Sequence, residues 1–165
     1  MNTSQIHLAL THLPVVLSLV GMIMLIISLI RKNPVLTRTS FYLLLFAGLT
    51  ALPVFFSGEG TEKAVEHLPG VSESLIEKHE NFATIALAAI MATALIALVG
   101  LLRSTFGVLA QPIRLLALLL ALTSSVLLAQ TAHLGGQIRH TEIRSSAFRS
   151  NSNSVETDAA QDDHD

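Results

Sequence analysis

Residues 13–30 read LPVVLSLVGMIMLIISLI and contain no charged residue. A helix needs about 20 mostly apolar residues to cross a bilayer, so this run predicts a membrane-spanning helix. No Lys or Arg precedes the run, and Arg31-Lys32 follows it. A cleaved signal peptide instead carries its positive charges before the apolar run. The pattern therefore favours a retained first helix over about residues 6–30.

Three further helices are predicted around apolar runs, over about residues 41–57, 73–102 and 113–134, and the third has its uncharged run at residues 82–102. The chain is 51% apolar and only 13% charged, whereas a soluble domain is about 25% charged. Short connections between the runs predict an all-α membrane protein, an up-down bundle of four transmembrane helices within residues 1–144. No internal repeat is evident in the sequence. Residues 145–165 have the polar, acidic composition of a disordered tail.

The composition also excludes several classes of site. The chain has no cysteine, which excludes disulfides, iron–sulfur clusters, thiolate metal sites and covalently attached c-type haem. A net charge of −2 gives no reason to expect a nucleic-acid partner. No Gly-x-Ser-x-Gly or His-Glu-x-x-His pattern is present, which argues against a hydrolase. Whether the protein is an enzyme of another kind stays open.

A polar segment separates the second apolar run from the third. Thr61 is the expected N-cap of a short helix over residues 62–67, and Ser72 is the expected N-cap of the third helix. Gly58 and Gly60 are assigned to a tight turn, because the segment lacks the Lys-Ser/Thr pair of a phosphate-binding loop. The sequence therefore predicts a helical loop between the second and third spans.

Four spans place both termini and this loop on one side of the membrane. All 12 Asp and Glu residues and all 7 His residues then lie on that side. The opposite side carries cations and no acid, namely Arg31, Lys32, Arg38, Arg103 and Arg114. The cations are balanced at five on each side, but those flanking the first helix all follow it and lie in short loops. This favours the inner membrane of a bacterium with both termini in the periplasm.

The histidines form the main candidate site. His7 and His12 open the first helix, His79 opens the third, and His133 and His140 close the fourth. Helical bundles build haem and metal sites from facing helices, and neutral imidazole is the commonest protein metal ligand. Polar groups at the membrane boundary are costly and suggest function. The alternative for His12 and His79 is a hydrogen bond to a hydroxyl or carbonyl of a neighbouring helix, and for His140 it is a role as an interfacial anchor.

Other titratable groups have simpler interpretations. His67 beside an acid in the loop is typical of a surface residue, and His164 lies in the acidic tail. The carboxylates of Glu59, Glu62 and Glu80 are candidates for hard-metal ligands, proton acceptors or hydrogen-bond partners of a ligating histidine.

Three stretches resemble a known family. They are Ile6-His7-Leu-Ala-Leu-Thr-His12-Leu-Pro14, His79 at the head of the third helix, and Leu134-Gly135-Gly136-Gln137-Ile138-Arg139-His140. This pattern resembles the bacterial membrane proteins of domain of unknown function 2231, over about residues 6–144. The resemblance implies a four-helix inner-membrane protein similar in build to small b-type cytochromes. His7, His12, His79 and His140 match the family pattern, and His133 does not clearly match it.

Three functions remain open on this sequence. The first is a redox membrane protein that holds haem b, with imidazoles as axial ligands and a quinol or a redox protein as partner. The second is a metal-ion or proton-handling protein, in which a divalent ion takes the place of haem. The third is a structural or assembly subunit of a larger membrane complex. The lipid bilayer is a partner in each case.

Overall fold

The computed structural model describes residue 7 and residues 10–65, 73–103 and 110–139. At 59–65, 110 and 139 the description covers the backbone alone. Within these ranges the chain forms four helices: α1 (His12–Arg31), α2 (Pro34–Val65), α3 (Glu73–Leu102) and α4 (Ala110–Arg139). The described residues contain no strand. Each helix has a segment long and apolar enough to cross a membrane, so the predicted all-α, four-span class is confirmed.

The four helices pack as a closed ring. Each helix contacts the next one along the chain, and α1 also contacts α4. The interior consists largely of small side chains, including Ser18, Ala47, Ala94, Ala97, Ala117, Ala121 and Ser124. Large apolar side chains such as Val16, Ile23, Phe46, Leu95 and Leu119 lie exposed on the outside. Small residues allow close helix contact in lipid, where apolar exteriors are not penalised.

A short connection joins α1 to α2. Lys32 adopts a left-handed conformation, with φ 51°. Asn33 then caps α2, because its side-chain oxygen accepts hydrogen bonds from the backbone N–H groups of Val35 and Leu36. Pro34 takes the first helical position, where its missing N–H costs least. The second helix therefore begins before the apolar run that predicted it.

The far end of α2 corrects two predictions about the loop. The helix continues past Pro53 and through Gly58 and Gly60 to Val65. The predicted tight turn at the glycines is therefore wrong, and Thr61 lies inside a continuing helix rather than at a new N-cap. Near the apolar boundary, hydrogen bonds within one helix satisfy the backbone without water. The rest of the predicted loop, residues 66–72, lies outside the described residues.

The other helices differ less from expectation. α3 covers the residues predicted for the third helix. α4 begins at Ala110 and continues through Gly135 and Gly136 to Arg139, beyond the predicted end at residue 134. Residues 140–165, which include the predicted disordered tail, lie outside the described part of the chain.

The helix order gives the bundle two different ends. We call the end with His7, Ser57, His79 and Thr131 the histidine end, because α1 and α3 start there and α2 and α4 finish there. The opposite end carries the cations Arg31, Lys32, Arg38, Arg103 and Arg114, and we call it the basic end. The described acids Glu59, Glu62, Glu73, Glu77 and Glu80 all lie towards the histidine end.

Candidate functional site

His7 is held against α2 at the histidine end. Its Nδ1 lies 2.9 Å from the carbonyl oxygen of Val54 and 3.1 Å from the hydroxyl oxygen of Ser57. Ser57 also lies 3.0 Å from the same carbonyl, to which it donates. A carbonyl oxygen can only accept, so Nδ1 of His7 carries the proton. Its backbone carbonyl in turn accepts hydrogen bonds from the N–H and hydroxyl of Thr11, which joins His7 to the start of α1.

A glycine makes room for this ring. Gly58 stands four residues after Val54, one helical turn further along α2. A Cβ at Gly58 would lie 3.4 Å from Cε1 of His7. The imidazole therefore lies against helix backbone where no side chain intervenes, and this contact replaces the turn predicted for Gly58.

His79 is held against α4 in the same way. Its Nδ1 lies 3.0 Å from the carbonyl oxygen of Thr131, so this nitrogen also donates. Gly135 stands four residues after Thr131. A Cβ at Gly135 would lie 3.1 Å from Cε1 of His79, a tighter fit than at Gly58. The His79 side chain is half-buried.

These two arrangements leave the same atom of each ring available. With Nδ1 protonated, a neutral imidazole carries its lone pair on Nε2. None of the hydrogen bonds among the described residues uses Nε2 of His7 or of His79. The two rings are also close enough to interact electrostatically. An Nδ1–H bonded to a carbonyl is the usual arrangement behind a histidine that ligates a metal through Nε2.

The remaining candidate histidines are not bonded to a main-chain carbonyl in this way or lie outside the described residues. His12, the first residue of α1, is exposed. His133 is also exposed, and its Nε2 accepts a hydrogen bond from the side-chain amide of Gln137 at 3.1 Å. His140 lies outside the described residues, as do His67 and His164.

The candidate carboxylates are only partly defined. Glu80 is exposed on α3 and interacts electrostatically with His79. The backbone of Glu59 and Glu62 lies in α2, but their side chains are outside the description. Among the described residues, no group of three or more His, Cys, Asp or Glu side chains could hold a metal ion.

Sequence reasoning identified the histidines, and the hydrogen bond to a neighbouring helix that it gave as the alternative for His79 is present, but it did not identify the acceptors. The acceptors are the main-chain carbonyl oxygens of Val54 and Thr131, and every residue has such an oxygen, so the residue type gives no signal. Ser57 was not considered as a partner. The available signal was a glycine within each long helix, Gly58 and Gly135, at a place where backbone must lie close to another group.

Comparison with known proteins gives a family and no function. The family described as "Predicted membrane protein (DUF2231)" matches residues 3–142. No curated protein and no solved structure matches the chain. The match covers most of the chain, including all four described helices and both carbonyl-bound histidines. The chain therefore belongs to the DUF2231 family of predicted multi-pass membrane proteins.

Proposed function

We propose that this protein holds haem b through His7 and His79 and transfers electrons at one face of the membrane. The observation that carries the proposal is the shared state of the two rings. Each donates its Nδ1–H to a main-chain carbonyl, and within the described part of the chain no hydrogen bond occupies Nε2 of either ring. Haem b would supply a one-electron iron couple when bound, and its potential would depend on these axial ligands and on burial.

The donor set fits haem better than a bare metal ion. A protein zinc site needs three or four side-chain ligands. The described residues offer two imidazoles that interact electrostatically and no group of three potential ligands. A porphyrin supplies four nitrogen ligands to the iron, so the protein needs to supply only one or two axial ligands. Two imidazoles with fixed tautomers therefore match what a haem requires.

The surroundings of the two rings set their roles. Val54 and Ser57 orient His7, and Thr131 orients His79. A hydrogen bond from Nδ1 raises the basicity of the ligating nitrogen and fixes the plane of the ring. His79 lies where the apolar part of α3 meets Glu77, Lys78 and Glu80. The electron partner we propose is a quinol in the bilayer or a redox protein at the membrane surface.

The proposal also includes the orientation of the bundle in the membrane. The basic end carries five cations in or close to the connections between helices and no described acid, which favours a cytoplasmic position in a bacterial inner membrane. The histidine end and both termini would then face the periplasm. Single cysteines introduced at either end and labelled from outside intact cells test this orientation. Labelling at the histidine end alone is expected, and labelling at the basic end alone would contradict it.

The test of haem binding is an absorbance spectrum. The protein is expressed with ample haem, purified in detergent, and measured as a dithionite-reduced minus oxidised difference. A sharp b-type α band is expected in the wild type. It should be lost in His7→Ala and in His79→Ala, because each removes an axial ligand.

Two histidine variants serve as matched controls. His12→Ala and His133→Ala remove exposed imidazoles near the same end of the bundle and should keep the wild-type band. A featureless wild-type spectrum would overturn the proposal. Loss of the band in both controls would also count against it, because haem would then not depend on the carbonyl-bound pair.

A further inference from the structure

The burial pattern of α1 recurs in α3. The shift between the two patterns is 72 residues, which is also the separation of His7 and His79. The matching buried pairs are Pro14 and Ala86, Ser18 and Ile90, Gly21 and Thr93, Leu25 and Ala97, and Ser28 and Gly100. Every buried residue of α1 belongs to this set, although no pair has the same residue type.

The pattern of α2 recurs in α4 with a shift of 77 residues, the separation of Val54 and Thr131. The pairs buried in both helices are Ser40 and Ala117, Leu44 and Ala121, and Ala47 and Ser124. The second shift is longer by five residues. Two residues connect α1 to α2 and seven connect α3 to α4, which accounts for this difference.

Contacts between the helices follow the same shifts. In α1 and α4, the hydroxyl oxygens of Ser18 and Ser125 lie 2.9 Å apart. The corresponding positions in α3 and α2 are Ile90 and Gly48. A Cβ at Gly48 would lie 3.4 Å from the carbonyl oxygen of Ile90 and 2.5 Å from Cβ of Ala94. The α1–α4 contact and the α3–α2 contact therefore occupy equivalent places.

Most equivalent positions differ in residue type, and apart from three leucine pairs the matches lie at the site and at the helix ends. His7 corresponds to His79, Gly58 to Gly135, and Arg31 to Arg103. Each histidine lies near the start of the first helix of its hairpin. Each glycine lies against the histidine ring of its own hairpin. The similarity is therefore greatest where an imidazole meets a carbonyl and a glycine.

We infer that the chain is two copies of one helical hairpin, paired about a pseudo-two-fold axis along the helices, and that His7 and His79 are the equivalent halves of one composite site. Parallel repeats related by an axis along the membrane normal are an established way to build membrane proteins. A ligand on this axis meets two equal imidazoles, one from each copy. The ligand class that fits is a metalloporphyrin with two like axial positions, which rests on the proposed haem function.

The composite site gives a specific expectation for haem-loaded protein. His7→Ala and His79→Ala should each lower haem per chain by about tenfold or more, since even outer partners of a metal ligand are worth about 10–100-fold in affinity. Free imidazole in the buffer should restore the spectrum of both variants, because either missing ligand can be replaced from solution. His133→Ala should need no rescue. Wild-type haem content in either site variant would overturn the inference.

A second measurement does not depend on haem. In haem-free, ¹⁵N-histidine-labelled protein, the nitrogen shifts of His7 and His79 should both show a protonated Nδ1. His79→Ala should also shift the His7 signals, and His7→Ala those of His79, because the rings interact. Opposite tautomers, or no mutual effect, would overturn the inference.

The two tests separate the inference from the proposed function. If the wild type binds no haem yet both rings show the same tautomer and affect each other, the haem function fails and the duplicated site stands. If haem binds but depends on one histidine alone, haem binding stands and the composite site fails.

Discussion

The two hairpins bury equivalent helix positions, but the residues that contact the histidine differ between them. In the α1–α2 hairpin, His7 shares its proton between the Val54 carbonyl and the Ser57 hydroxyl. In the α3–α4 hairpin, Leu134 stands at the position of Ser57, and His79 donates to the Thr131 carbonyl. What the halves share is backbone: a carbonyl and a glycine four residues later. Main-chain geometry can persist while the side chains around it diverge.

The largest expected difference between the halves concerns the equivalent positions 48 and 125. Gly48→Ala would place a methyl group 2.5 Å from Cβ of Ala94. Overpacking of this kind costs about 1–3 kcal/mol, so the melting temperature in detergent should fall clearly.

The matched control for that variant is Ser125→Ala. It removes the hydrogen bond to Ser18 without adding bulk. Hydrogen bonds between membrane helices contribute about 0.6 kcal/mol on average, so a small loss of stability is expected. A larger loss of melting temperature for Ser125→Ala than for Gly48→Ala would show that the α1–α4 and α2–α3 contacts are not packed as described.

The next comparison is between the two site glycines. Gly135→Ala would bring a methyl group to 3.1 Å from His79, so the ring must move by a few tenths of an ångström. We expect haem affinity to fall by about tenfold, the low end for changes behind a metal ligand, with a shifted reduction potential.

Two glycine variants serve as controls for this effect. Gly58→Ala gives an ordinary contact of 3.4 Å with His7 and should keep nearly wild-type affinity. Gly136→Ala meets no atom of the described residues within 4 Å, so it should leave affinity unchanged and, if anything, raise stability by up to about 1 kcal/mol because alanine favours a helix over glycine. Equal losses in Gly135→Ala and Gly136→Ala would mean that the ring contact is not the cause.

The smallest expected effect concerns the hydroxyl that only one half possesses. Ser57→Ala removes one acceptor from His7 and leaves the Val54 carbonyl in place. A single hydrogen bond contributes about 0.5–1.5 kcal/mol net, so haem affinity should fall by less than about tenfold. The reverse change, Leu134→Ser, offers His79 a similar acceptor and should preserve binding. Complete loss of haem in Ser57→Ala would show that the halves are not equivalent.

The sequence predicted the bundle well because its signal is strong. Uncharged runs such as residues 13–30 require a membrane span whatever the tertiary packing. The sequence also brought His7 and His79 to one end of the bundle, because four spans leave no other arrangement. Helix ends were less predictable. α2 starts earlier than predicted because Asn33 caps it, and α4 continues past its predicted end through Gly135. Local caps and membrane boundaries, rather than apolar content, decide where a helix starts and ends.

The site and the repeat could not be predicted for a different reason. Both depend on main-chain atoms and on burial, which the residue types do not record. Ser18 and Ile90 occupy equivalent buried places but share no chemistry. Similarly, His12 and His79 were equal candidates on sequence, whereas the structure leaves His12 exposed and holds His79 against α4.

The most direct test of the central claim is the number of haems bound per chain. Pyridine haemochrome absorbance against protein concentration, on protein saturated with haem, gives this ratio. A single composite site between the hairpins predicts one haem for each chain, lost together with either His7 or His79. No haem would contradict the proposed function. Two haems per chain, each dependent on a different histidine, would contradict the composite site and show that each hairpin binds its own.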